Sequence, residues 1–245
     1  MARKSSKQQR EALALVAKME PAIRDAFIAA IKAARNSVKF SDLVEALESQ
    51  NIERAVRLLR IEQGVLFPLD DAIRAAYVAG GVSVAAPTGI SGAFGFDGRH
   101  PRAEAWAAQQ GSTLIQGIQQ DTLATARDVI GEGLVEGRSS RKIALDLVGR
   151  KVGKTREGGF IGLDDRQAAS IRKGRAALLS GDPSEMAQYL TLKQRDKRFD
   201  GTIRKAIKAG EPVSKVDVDS IMAAHRSKAL KVRGRRIARN EAHTA

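Results

Sequence analysis

Apolar residues return every three or four positions along most of this 245-residue chain, and no stretch alternates apolar with polar over the length of a strand. That period stacks side chains on one face of an α-helix, so it constrains the fold more than any other feature. Ile23, Phe27 and Ile31 recur at intervals of four. Leu114, Ile118, Ala126, Ile130 and Leu134 fall at multiples of four on a second, longer stretch. With no Asn-Gly hairpin signal, the expectation is an all-α, multi-helix fold.

Capping residues mark where the helices begin and end. Pro21 fits the first turn of the Ile23 helix, or kinks a longer one that starts near Gln8. Ser41 and Asp42 are placed to cap a short helix through Leu47, and Asn51 another that carries Ile52, Val56 and Leu59. A third is expected from Pro68–Asp71 to Gly80-Gly81. Ser112 precedes the long stretch, which Gly137 stops, and Ser139 or Ser140 opens the next helix. Asp164 with Gln167, and Ser214 with Asp217, have capping-box spacing. The first pair opens a helix that Gly181-Asp182-Pro183 ends, and the second opens the last helix of the chain.

Glycine and proline divide the chain further. Residues 86–101 form a Gly/Pro-rich connector containing Phe94 and Phe96, two apolar side chains read as pinning the loop to its own core. The expected organisation is an N-terminal helical region over 1–85, this connector, and a second helical region over 102–245. The segment 149–163 is Gly-rich and basic, and reads as a mobile loop.

The charge is one-sided. The chain has 42 Lys and Arg against 28 Asp and Glu, a net +14. Residues 1–138 are nearly balanced, with 17 basic and 16 acidic, whereas residues 139–245 hold 25 basic and only 12 acidic side chains. A localised excess points to an anionic partner at that end, with nucleic acid the leading candidate. Between Lys193 and Arg239 the only aromatic is Phe199, which argues against base stacking on a single strand and for phosphate contact.

The final helix carries two readable faces. Val218, Ile221, Met222, Ala229 and Val232 make an apolar stripe. Lys228, Lys231, Arg235 and Arg239 make a basic ridge, with Arg226 and Arg233 as a second row. Lys197, Arg198, Arg204, Lys205 and Lys208 form a second basic cluster. Those two sets, Arg233 included, are the candidate phosphate contacts.

Several chemistries lack their residues. Absence of cysteine rules out disulfides and thiolate chemistry, and three scattered histidines do not space as metal ligands. No cofactor and no metal are expected. No apolar run approaches the roughly 20 residues that cross a bilayer, and no apolar stretch follows the basic N-terminus. A soluble protein without membrane association is expected. Gly149-Arg150-Lys151-Val152-Gly153-Lys154-Thr155 imitates a phosphate-binding loop but has one residue too few between its glycines and follows a helix pattern. Asp70-Asp71 and Asp164-Asp165 are explained as helix starts. No enzyme is expected.

Four blocks in the C-terminal part occur in a familiar order. They are Phe96–Glu104; Glu132–Ser139 followed by Ile143-Ala144 and Leu147–Arg150; Gly158-Gly159-Phe160-Ile161-Gly162-Leu163 followed by Gln167; and Arg195–Asp200 followed by Ile237-Ala238-Arg239-Asn240-Glu241. Over about residues 90–245 the chain resembles the phage minor head, or head morphogenesis, proteins, the Mu F-like group. The last block departs mildly, with Asn240 where the family usually has Thr. The resemblance implies a structural virion component of the head interior at the portal vertex, present in the host cytoplasm during assembly. It implies portal or major capsid protein and packaged double-stranded DNA as partners, and Gly158, Gly159, Gly162, Arg239 and Glu241 as motif residues. Residues 1–85, balanced in charge, are the expected protein-binding part. A cellular nucleic-acid-binding protein without sequence preference is the alternative.

Overall fold

The computed structural model describes residues 7–85 and 101–244. It is all-α, as the periodicity requires. The described helices are α1 (Lys7–Ser37), α2 (Phe40–Glu48), α3 (Ile52–Leu58), α4 (Gln63–Ala85), α5 (Pro101–Val135), α6 (Ser140–Val148), α7 (Asp165–Ser180), α8 (Pro183–Tyr189), α9 (Asp200–Ala209) and α10 (Lys215–Thr244). A single 3-10 turn, Lys197–Phe199, precedes α9.

Three expectations change. Pro21 lies inside α1, which starts at Lys7, so of its two readings the longer helix from near Gln8 holds; Pro68 lies inside α4, which starts upstream of where that proline would place it. Asp70-Asp71 is therefore interior to α4, and Asp70 pairs with Arg74 one turn on, at 2.9 Å. Ser41 and Asp42 do not cap α2. Lys39 holds the cap position, and Ser41 donates to Asp42 instead. The Gly-rich segment after α6 is a hairpin, β1 (Arg150–Val152) with antiparallel β2 (Thr155–Glu157), not a loop. Gly153 takes φ +59° at the first turn position, where a two-residue turn of this kind needs glycine. Phe94, Phe96, His100 and most of the connector lie outside the described residues.

The caps that the sequence does foretell hold their helices. Asn51 accepts from the Arg54 N–H and Asp164 from Gln167, whereas Asp182, read only as part of a helix end, also caps α8 by accepting from Ser184 and Glu185. Ser214 accepts from Asp217 at the start of α10. After α5, Gly137 adopts φ +64°, and the Arg138 N–H reaches back to the Gly133 carbonyl, closing the helix.

The chain divides into two compact units, and the boundary does not follow the connector. One unit takes Met1–Ala30, Glu62–Gly117 and Arg233–Ala245, and the other takes Ile31–Ile61 and Ile118–Val232. The reason is length: α1, α5 and α10 are long enough for each to serve both units. In the first, Ile23, Phe27, Leu66, Leu69 and Ile73 are buried. In the second, α2 packs on α3 and α6, α7 on α8, and α8 on α9. Its core includes Ile31, Leu43, Ile130, Ile143, Leu147, Ile171, Leu178, Met186, Ile203, Val218 and Ile221. Each such side chain contributes about 1.5–3 kcal/mol on burial.

Candidate functional site

The candidate site is cationic, so its geometry turns on which arginines and lysines the fold consumes and which it leaves in water. In the second unit, the consumed ones surround the segment Gly158–Leu163. Asp146, near the end of α6, is buried and receives Arg138 and, at 3.0 Å, Arg226 of α10. The Arg226 guanidinium also donates to the Gly158 carbonyl and lies 4.8 Å from the Phe160 ring centre. Arg35 of α1 donates to the Gly159 carbonyl at 2.7 Å and to the Ile161 carbonyl at 2.6 Å. Three backbone carbonyls within four residues are thus held by arginines from α1 and α10.

Burial shapes the protonation of this cluster. Desolvation lowers the Arg35 guanidinium to about 9, and neighbouring Arg226 adds to the shift. Burial likewise lowers Arg226, against the pull of Asp146. At Asp146 burial pushes the carboxyl up, but Arg226 and Arg138 outweigh it, and the net direction is down. Asp146 therefore stays ionised between its two arginines.

The motif glycines have a packing reason. A Cβ on Gly159 would lie 2.5 Å from the Leu147 carbonyl oxygen, and one on Gly158, at φ +73°, 2.9 Å from Ala223. Gly158 thus combines a positive φ with a close approach, and Gly159 makes a close backbone approach. Gly162, at φ +89°, lies against Ile31 in the same way. The other two motif residues belong to the first unit. Arg239 sits 3.6 Å from Glu20 and is exposed. Burial raises the carboxyl of Glu241.

The proposed basic ridge of α10 is unequal in its exposure. Lys228 is half-buried and donates to the Arg195 carbonyl at 2.8 Å. Arg233 is buried, 6.0 Å from the Phe27 ring centre, so it is removed from the set of surface phosphate contacts. Arg226, expected beside it in a second surface row, is the buried partner of Asp146. Packing overrode the helical-wheel reading in both cases, because the long apolar stems fill the core. Lys231 and Arg235 are exposed and make no ion pair among the described residues.

The second cluster is closer to its expectation. Arg198 folds back onto Asp196 at 2.6 Å, and Arg204 reaches Asp200 at 3.8 Å, so both are partly neutralised. Asp200 is clamped mainly by Arg195, through two bonds of 2.9 Å. Lys197, Lys205 and Lys208 are exposed and unpaired among the described residues. Lys205 and Lys208, three apart, share a face of α9, whose inner face buries Ile203. Sequence reasoning left out Arg150, Lys151 and Lys154, which the hairpin holds in solvent. The signal was present in the basic run after Gly149, but read as a failed phosphate loop it carried no weight.

His225 is buried, with its Nδ1 3.3 Å from the Tyr189 hydroxyl. Burial, then Arg226 and Lys228, lower it to about 4, so the imidazole is neutral and serves packing. Among the described residues no three His, Asp or Glu side chains are grouped to hold a metal ion, and no helix is long and apolar enough to cross a membrane. Comparison with known protein families, with curated proteins and with solved structures finds no match for this chain.

Proposed function

We propose that this chain is a structural minor head protein of a phage, acting without catalysis at the portal vertex, where it touches packaged double-stranded DNA through phosphate and binds portal or major capsid protein. The observation that carries the DNA contact is the division of the cations. Arg35, Arg138 and Arg226 are committed to Asp146 and to backbone carbonyls, while Lys197, Lys205 and Lys208, with Lys231, Arg235 and the hairpin cations, remain hydrated. Hydrated, unpaired cations bind phosphate by releasing counterions, without reading sequence. The assignment to a phage head rests on the ordered blocks from Phe96 to Glu241. The buried arginine grip on Gly158–Ile161 supports it, since the third block then has a reason to be spelled as it is.

The proposed location is the virion interior, after assembly in the host cytoplasm. Tagged chain expressed with the portal protein of the same genome should co-purify with it, and purified heads should contain the chain in few copies. Heads that lack it, with duplex binding intact, would favour the second reading, a cellular nucleic-acid-binding protein without sequence preference.

A further inference from the structure

A cleft of about 560 Å³ opens in the second unit where α5 and α7 end and α6 and α10 begin. We propose that it binds a phosphate monoester, the phosphate being carried on a sugar-sized or larger body. Three observations converge.

The first is charge. Arg138, Lys142, Arg175 and Lys215 line the cleft with only two carboxylates, Glu136 and Asp219. Asp219 is shared between Arg175 at 3.3 Å and Lys142 at 3.9 Å. Glu136 is shared between Arg175 at 3.5 Å and Arg138 at 4.0 Å, and Arg138 also holds Asp146 outside the cleft. Lys215 is exposed and makes no hydrogen bond or ion pair among the described residues. The lining is thus two positive charges in excess of its own acids. A phosphate monoester carries about −1.5 to −2 at pH 7 and balances that excess, whereas a backbone diester carries one charge and does not.

The second is the loose hold on the cleft's own acid. The Nε atoms of Arg138 and Arg175 face Glu136 at 4.0 and 3.5 Å without forming a hydrogen bond. Ser139, on the cleft wall, caps α6 by position but makes no side-chain capping bond. The N–H groups of Ser140 and Arg141 then lack an acceptor among the described residues. Ser139 and Lys142 bring the start of α6, the positive end of its dipole, to the cleft wall. The Arg141 side chain itself is turned to the Phe40 ring, 5.5 Å away.

The third is size. A volume of this order falls in the range of about 300–1,000 Å³ that takes small organic ligands. Ala176, Leu179 and Ser180 of α7 form the opposite wall, apolar with one hydroxyl. The carbonyls at the end of α7 repel phosphate and accept from hydroxyls. Phosphate therefore belongs at the α6 side and the sugar at the α7 side.

The site is independent of the DNA reading, and its test separates the two. The full chain is titrated calorimetrically with AMP, with adenosine and with inorganic phosphate, beside the variants K142Q/K215Q in the cleft and K205Q/K208Q on α9. AMP should bind once per chain and adenosine not at all. The cleft variant should weaken AMP roughly tenfold or more, through loss of charge-assisted hydrogen bonds, and the α9 variant should leave it unchanged. Both cleft lysines are exposed, and an unaltered far-UV spectrum and unfolding midpoint will verify that the variants fold. AMP binding no better than adenosine, a loss under twofold in the cleft variant, or an equal loss in the α9 variant overturns the proposal. Duplexes with 5′-phosphate or 5′-hydroxyl ends identify the source. A preference for the phosphorylated end, lost in K142Q/K215Q, assigns the monoester to a DNA terminus, and equal binding with AMP binding intact assigns it to a free small molecule.

Discussion

Asp146 is the carboxylate on which the buried arginines depend, and Asp146→Asn tests that dependence. The substitution keeps the shape but removes the charge that faces Arg226 and Arg138. Arg226 is only 3% exposed, so its guanidinium cannot turn to water, and the Gly158 carbonyl and Phe160 ring compensate only in part. Removing one member of a buried ion pair costs about 3–5 kcal/mol. With an m-value of about 2 kcal/mol/M in urea, the midpoint should fall by about 1.5–2.5 M. A double-mutant cycle with Arg226→Met sharpens the expectation. The double variant should recover part of the loss, because no unpaired charge then remains in the core. The assay is equilibrium urea unfolding followed by tryptophan fluorescence and by circular dichroism. A midpoint shift under about 0.5 M for Asp146→Asn, or strictly additive losses in the cycle, would refute the reasoning that this network holds Gly158–Ile161 in place.

Other outcomes follow from single residues. His225 is held near 4 when folded against 6.5 when unfolded, so below pH 6.5 the unfolded chain takes up a proton that the folded chain refuses. Stability should fall as pH drops from 6.5 to 4, by on the order of 3 kcal/mol, and His225→Asn should flatten that window in urea titrations. Gly159→Ala sets a methyl against the Leu147 carbonyl and should cost about 3 kcal/mol or more, whereas Gly153→Ala, with open space around it and φ +59°, should cost about 1–2 kcal/mol; thermal unfolding ranks the two. Arg233→Met should leave duplex affinity unchanged, since the side chain is buried, while Lys205→Glu with Lys208→Glu should weaken it in gel shifts without lowering the unfolding midpoint.

Legibility in the sequence followed the range of the interactions. Caps act within three residues, and Asn51, Asp164 and Ser214 could be read directly. The apolar stripe of α10 was equally local, and Val218, Ile221, Met222 and Ala229 are all buried. Gly158 and Gly159 stood out as residues of the third block, but not what they pack against. Arg35 meets its carbonyls across more than a hundred residues, and Arg226 meets Asp146 across eighty, so no spacing rule links them. A wheel projection therefore put Arg226 and Arg233 on the surface. The hairpin was hidden for a different reason: its strands are three residues long, basic and joined by Gly-Lys rather than Asn-Gly. The proline at 68 misplaced a helix start, since a long helix tolerates a missing backbone donor that a short isolated one would not.

The central claim is that the chain sorts its cations, some into the core and some toward phosphate. Its most direct measurement is the affinity of the full chain for a random-sequence duplex across 50–200 mM salt. The logarithm of the binding constant should fall linearly with the logarithm of salt, by about 0.9 for each phosphate neutralised, giving a slope near −3 for Lys197, Lys205 and Lys208 alone and steeper if the hairpin takes part. A salt-independent affinity, or no binding at 50 mM, would contradict it.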